Sequence, residues 1–169
     1  MSLRVRRAGE GDLEPMAEVL VLSENERRRE AGLEPISTLE QARDVVAGRL
    51  TALGGRGLVG CDGSHVMGMI TGVPARQHDG AGPSIVPGRL HVSLLAVVPE
   101  AWGRRLGSRL LTVLLDGARQ AGFIDAQLWT HESNERAIAL YERLGFARTG
   151  RTKLDEHGEL IAHWSRTLY

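Results

Sequence analysis

Residues 91–111 read HVSLLAVVPEAWGRRLGSRLL, and this run decides the fold. An apolar, strand-like segment ends at Val97-Val98-Pro99. A short loop carries Gly103-Arg104-Arg105-Leu106-Gly107, and an amphipathic helix follows at once. The first amides of a helix have no intrahelical acceptor and point outward at the positive end of the helix dipole, so a strand, a glycine-bearing turn and a helix start together favour an anion. Gly107 allows a backbone to come close to a bulky ligand, and Arg104 and Arg105 add positive charge beside those amides. The same residues would equally serve an ordinary strand-to-helix connection with its arginines in solvent.

A second stretch, residues 129–146, reads WTHESNERAIALYERLGF. Together the two stretches resemble the GNAT superfamily of N-acetyltransferases. In that family a strand ends in V-x-P, Q/R-x-x-G-x-G/A opens a helix, and an Asn later starts a second helix that closes with A-x-x-x-Y-x-x-x-G-F. Here these features are Val97-Val98-Pro99, Trp102 to Gly107, Asn134, and the frame Ala137, Tyr141, Gly145-Phe146. Two positions depart from the pattern: Trp102 stands for the usual Gln/Arg, and Arg105 for the first motif glycine.

The resemblance implies an α/β/α-layered fold. Its mixed, mostly antiparallel sheet of six to seven strands would splay at a coenzyme cleft, with about four helices flanking it. It implies acetyl-CoA as co-substrate, lying where the His91 strand parts from the strand that starts at Asp125. Backbone groups near Leu95, Ala96 and Val97 would pair with the pantetheine arm like an added strand. Gly103, Arg104, Arg105, Leu106, Gly107 and Ser108 would cradle the pyrophosphate, and Asn134 would touch the pantetheine. Tyr141 occupies the position of the general acid that protonates the departing coenzyme A thiolate, and His91 a position where some relatives carry the base.

Composition bounds the rest. The 169 residues are expected to form one domain (1–169), enough to bury roughly two-thirds of the unfolded surface. The 21 basic and 21 acidic residues cancel, which argues against non-specific nucleic-acid binding. The single cysteine, Cys61, cannot form an internal disulfide, and no Cys/His cluster has zinc-site spacing, so no metal is expected. The opening MSLRVRRAGEGD lacks the apolar core of a secretory signal, and no apolar run nears the ~18 residues of a membrane span. A cytoplasmic protein without membrane partners is the expectation.

Element by element, Leu3 to Ala8 alternates as a strand does, and Gly11-Asp12 starts a helix bearing Leu13, Met16, Ala17, Leu20 and Val21 on one face. The charged run Glu24–Glu34 reads as a solvated face broken at Pro35. Thr38–Leu53 is a second helix with Ser37 or Thr38 as N-cap. Gly57–Cys61 and His65–Val73 form a hairpin across Asp62-Gly63, and residues 76–88 are a long Gly/Pro-rich loop. Strand, helix (Arg105–Ala121), strand (Asp125–Thr130) and helix (Asn134–Leu144) follow. Two closing strands, Phe146–Gly150 and Leu160–Leu168, complete an α+β order. Edge strands of an open sheet make a homodimer a further expectation.

An amine acceptor with pKa ~10 is protonated at neutral pH, so amide formation needs a base, an oxyanion donor and an acid for the thiolate. An imidazole with an ordinary pKa of ~6.5 suits the base. Strand alternation puts His91, Ser93 and Leu95 on one face, so Ser93 could hold a relaying water. The alternatives are a strand-end histidine bonded to backbone for His91, a packing tyrosine for Tyr141, and His131 or Glu132 as base. Asn134 caps its own helix on any reading. Cys61 reads as a small buried residue, His157 and His163 as weak metal candidates, and Trp102, Trp129 and Trp164 as packing residues. The acceptor is a small-molecule or peptide amine that the sequence does not identify further. A non-catalytic acyl-CoA-binding regulatory module is the second reading. A different nucleotide-phosphate binder is disfavoured by the missing G-x-x-x-x-G-K-[ST].

Overall fold

The computed structural model describes residues 2–169. Its strands are β1 (Leu3–Arg7), β2 (Arg56–Asp62), β3 (His65–Arg76), β4 (Ile85–Val97), β5 (Asp125–His131), β6 (Ala147–Leu154) and β7 (Leu160–Thr167). The helices are α1 (Leu13–Glu30), α2 (Leu39–Thr51), α3 (Leu106–Gln120) and α4 (Glu135–Arg143). The strands make one seven-stranded sheet in the order β1-β2-β3-β4-β5-β7-β6, antiparallel except for the central β4–β5 pair. The expected layered, mixed sheet with four helices is the one observed.

Two cores hold the layers. On one face Met16 and Val19 of α1 and Val46 of α2 pack on Val59, Met69 and Ala96. On the other, Leu106, Leu110 and Leu114 of α3 and Tyr141 of α4 pack on Ile70, Leu90, Leu128 and Trp164. Glycines let α3 sit close: a Cβ at Gly60 would fall 2.5 Å from Leu106 Cδ1, and one at Gly68 2.9 Å from Leu106 Cδ2. That approach seats the start of α3 beside the end of β4.

β4 and β5 pair only through Arg89–Asp125, Leu90–Ala126 and His91–Gln127, and then part. β4 also carries a bulge. Val92 faces Gly72 and Leu94 faces Thr71, so Ser93 is left without a partner. A bulge shifts the alternation by one residue. Leu95 therefore packs with the α3 core and Leu94 with the α1/α2 core, while Ser93 accepts a hydrogen bond from Arg49 of α2. The expected common face of His91, Ser93 and Leu95 is thus corrected, because Leu95 lies on the opposite side of the sheet.

Other boundaries move for physical reasons. The Gly/Pro-rich loop shrinks to residues 77–84, because β3 and β4 extend to an Arg76–Ile85 pair. The hairpin loop is Gly63-Ser64, since Asp62 pairs with His65 and Gly63 takes the left-handed conformation (φ 57°). α1 runs on to Glu30, and its charged end is solvated only in part: Arg29 and Glu30 are exposed, but Arg27 and Arg28 are each 7% exposed. Glu159, in the turn before β7, accepts hydrogen bonds from both guanidinium groups. That partner lies 132 residues from Arg27, beyond any local pattern. Phe146 lies in the turn that closes α4, one residue before β6 begins at Ala147.

Candidate active site

The parted strands open a cavity of about 580 Å³. Its walls include Leu95, Ala96 and Val97 of β4, Gly103, Arg105, Leu106, Gly107 and Ser108 at the start of α3, and Asn134 and Tyr141 of the α4 segment. Every position expected to contact the coenzyme lines it except Arg104. Beyond His91 the side of β4 that faces β5 has no strand partner, so its backbone is presented to the cavity as an unfilled sheet edge.

The start of α3 has the features of an anion cradle. No side chain caps the helix and no acidic residue occupies its first turn, so the first amides keep their free positive end. Gly103 (φ 81°) and Arg105 (φ 62°) both adopt left-handed backbone. At Arg105 this conformation costs about 1 kcal/mol that a glycine would not bear. Trp102 does more than pack. Its Nε1 donates to the Val97 carbonyl at 2.8 Å, and the Arg136 guanidinium stacks 3.7 Å over its ring.

α4 positions Tyr141 by its two ends. Asn134 caps the first turn, its Oδ1 accepting from the Ala137 amide at 3.2 Å. At the other end Gly145 takes φ 85°, its amide donates to Glu142 O, and the Phe146 amide donates to Tyr141 O at 2.9 Å. This is a Schellman ending, whose hydrophobic contact is between Phe146 and Tyr141. The two rings meet edge-on with centroids 5.9 Å apart. The glycine-phenylalanine pair of the motif therefore holds the tyrosine ring. Burial pushes the phenol of Tyr141 well above its ordinary pKa, so it carries its proton at neutral pH.

The two candidate bases stand apart. His91 lines a separate cavity of about 340 Å³ between α2, the end of β3 and β5, and not the main cleft. Its Nδ1 is buried without a hydrogen-bond partner. Burial first, and then the positive charge of Arg49, push its pKa down to about 4. His131 lines the main cleft with Tyr141, and its Nε2 lies 2.9 Å from Asp155 Oδ2. Glu132 is turned away into an ion pair with Arg148. Nothing in the sequence marked Asp155 as a partner for His131.

At this end of the cleft Glu24, His131 and Glu159 bring one potential metal ligand each within 4.8 Å of one another. Both carboxylates are already bonded to Arg27, whose buried positive charge opposes a cation there. His163 bonds Thr149 and Gln127, and Cys61 is buried in β2. No helix among the described residues is long and apolar enough to cross a membrane.

Comparison with known proteins agrees with this geometry. The model of the acetyltransferase (GNAT) family matches residues 19–146. A mycothiol acetyltransferase from Stackebrandtia nassauensis is 39% identical over 83 residues, covering 49% of this chain and 26% of that protein. The chain spans only about a fifth to two-fifths of the length of the curated relatives it matches. Among solved structures, a GCN5-related N-acetyltransferase from Kribbella flavida superposes with a TM-score of 0.70 at 25% identity, covering 98% of this chain and 97% of that one. The PaiA N-acetyltransferase of Thermoplasma acidophilum, solved in complex with coenzyme A, superposes with a TM-score of 0.66 at 19% identity over 96% and 98%. A cleft between parted strands, closed by an uncapped helix start and a held tyrosine, and the family match across most of its length lead to one conclusion: the chain belongs to the GNAT family of acetyltransferases.

Proposed function

We propose that the protein transfers an acetyl group from acetyl-CoA to a primary amine by direct attack of the amine. The observation that carries this reading is the meeting, in one cavity, of the unfilled β4 edge, the uncapped α3 start and Tyr141. These residues fit coenzyme A by their chemistry. The backbone of Leu95, Ala96 and Val97 would align the pantetheine amides, the amides at the start of α3 with the Arg105 charge would hold the pyrophosphate, and Asn134 would flank the arm. Acetyl-CoA supplies the activated acetyl thioester, and no metal is required.

Tyr141 is the general acid that protonates the coenzyme A sulphur. It lines the cleft and carries its proton before the step, while burial, by raising its pKa, makes it a weaker acid than an exposed phenol. For the base, two histidines compete. His91, with a pKa of about 4, is unprotonated at neutral pH but a weak proton acceptor, and it would act through the Ser93 side of the β4 bulge. His131 is favoured by its location in the Tyr141 cavity and by the Asp155 carboxylate that orients it. A His91 base would give kcat/KM an acidic limb near pH 4, with activity lost as the pH falls through it; a limb elsewhere assigns another group.

The test is release of coenzyme A thiol from acetyl-CoA over a panel of amines, with Tyr141→Phe alongside. The enzyme reading expects release with one amine class, and in the variant intact acetyl-CoA binding with turnover about 100-fold lower. Binding without release for any amine would favour the regulatory acyl-CoA-binding module instead. The cytoplasm as its location, one domain over residues 1–169 and a homodimer remain part of this proposal.

A further inference from the structure

The side cavity that His91 lines carries two exposed arginines, Arg49 and Arg76. We propose that the acceptor amine also carries a carboxylate, which Arg49 and Arg76 bind in this cavity. The inference rests on the acetyltransferase reading and names its substrate class.

Position supports it first. Trp129 lines both this cavity and the main cleft, and Ser93 of the β4 bulge, which lines the main cleft, accepts the hydrogen bond from Arg49. A molecule whose amine lies in the main cleft near the bulge has the side cavity as its neighbouring space.

Charge supports it next. Arg49 of α2 and Arg76 at the end of β3 both line the cavity, and both are exposed. Arg49 donates to Ser93 and Arg76 to the Pro83 carbonyl, which leaves most donors of each guanidinium uncommitted. Lys153 and Arg151 of β6 add two more cations, 4.3 and 5.2 Å from the centroid of the Trp129 ring. Asp79 is the one acidic residue on the wall, and its carboxylate is taken up by Arg151 at 2.7 and 2.8 Å with Lys153 at 4.0 Å. A cationic group entering here would meet a surplus of positive charge, and a carboxylate would meet two guanidinium groups that each keep several N–H donors.

Besides His91 and Gln127, the rest of the wall includes Leu53, Val73, Pro74 and Ile85, which suits an aliphatic side chain next to the carboxylate. The buried Nδ1 of His91 offers one further unsatisfied polar atom on this wall. The same positive surroundings show in the neighbours, since Arg49 acts with burial on His91 and Arg151 acts with burial on His163 to lower both imidazoles. The loop that delivers Asp79 keeps His78 and Asp79 in left-handed backbone (φ 54° and 55°), a strained arrangement of the sort kept at ligand sites.

Calorimetric titration with N-acetyl-leucine, N-acetyl-leucinamide and spermidine tests this, with acetyl-CoA titrated into the same samples. The expected result is that the carboxylate binds about tenfold more tightly than its carboxamide, and that this ratio collapses toward one in Arg76→Met and in Arg49→Met. Arg49→Lys, which keeps the charge but not the fork, should retain only part of the preference. Absence of a carboxylate preference, whether both probes bind equally or neither binds at millimolar concentration, overturns the inference, as does tighter binding of spermidine. Loss of acetyl-CoA binding would unseat the acetyltransferase reading separately; intact acetyl-CoA binding without the preference overturns the carboxylate site alone.

Discussion

The two ends of the cleft are built in opposite ways. The proposed coenzyme end consists of two locally built stretches: β4 runs into the left-handed turn at Gly103–Arg105 and the turn into α3, while α4 is held by its own cap and its own Schellman ending. The proposed acceptor end is assembled from distant segments. There α1 meets the β6–β7 turn through Arg27, Arg28 and Glu159, α2 meets β4 through Arg49 and Ser93, and β6 meets the β3–β4 loop through Arg151 and Asp79. One end is fixed by local backbone geometry, the other by ion pairs and hydrogen bonds between segments far apart in the chain.

Substitutions at each end should separate these contributions. The largest effect is expected for Phe146→Ala, which removes a buried ring and the edge contact to Tyr141. It should cost about 3–5 kcal/mol in chemical denaturation and lower kcat together with stability. Glu159→Gln should come next, because it leaves Arg27 and Arg28 buried without their shared carboxylate. A loss of about 3 kcal/mol is expected, with the KM for the amine raised and acetyl-CoA affinity little altered. If instead acetyl-CoA affinity falls most, the division of the cleft into two independently built ends is broken.

His91→Gln probes the side cavity through pH. The folded pKa of about 4 lies below the unfolded value near 6.5, so the unfolded chain takes up the proton first as the pH falls. Stability from this group is complete above about 6.5, and is lost progressively down to about 4. The variant should lose part of that acid sensitivity, measured as denaturation midpoints across the window. A residual slope of the same sign should remain from His163, whose pKa is also lowered. The smallest effect is expected for Arg105→Gly. It relieves the left-handed strain but adds freedom to the unfolded chain, so stability should rise by less than about 1 kcal/mol while acetyl-CoA binding weakens through the lost charge.

This contrast also explains what the sequence reveals. Asn134, Gly145 and Phe146 act within a few residues of their partners, so their spacing is enough to read the α4 segment and the place of Tyr141. Thr38 caps α2 in the same local way, its Oγ1 accepting from the Gln41 amide. The run from Glu24 to Glu30 looks wholly solvated because Glu159, the shared partner of the buried Arg27 and Arg28, is encoded at the far end of the chain. The bulge at Ser93 depends on pairing with β3, and strict alternation along β4 therefore misassigns Leu95. Asp155 as the partner of His131, and the arginines beside His91, likewise emerge only when strands and helices are brought together.

The central claim is that the opening between β4 and β5 is an acetyl-CoA site, and calorimetric titration of the protein with acetyl-CoA tests it most directly. Saturable binding to one site per chain, weakened by Arg105→Gly and not displaced by ATP or NAD, is the predicted result. Absence of binding, or equal displacement by ATP or NAD, would contradict it.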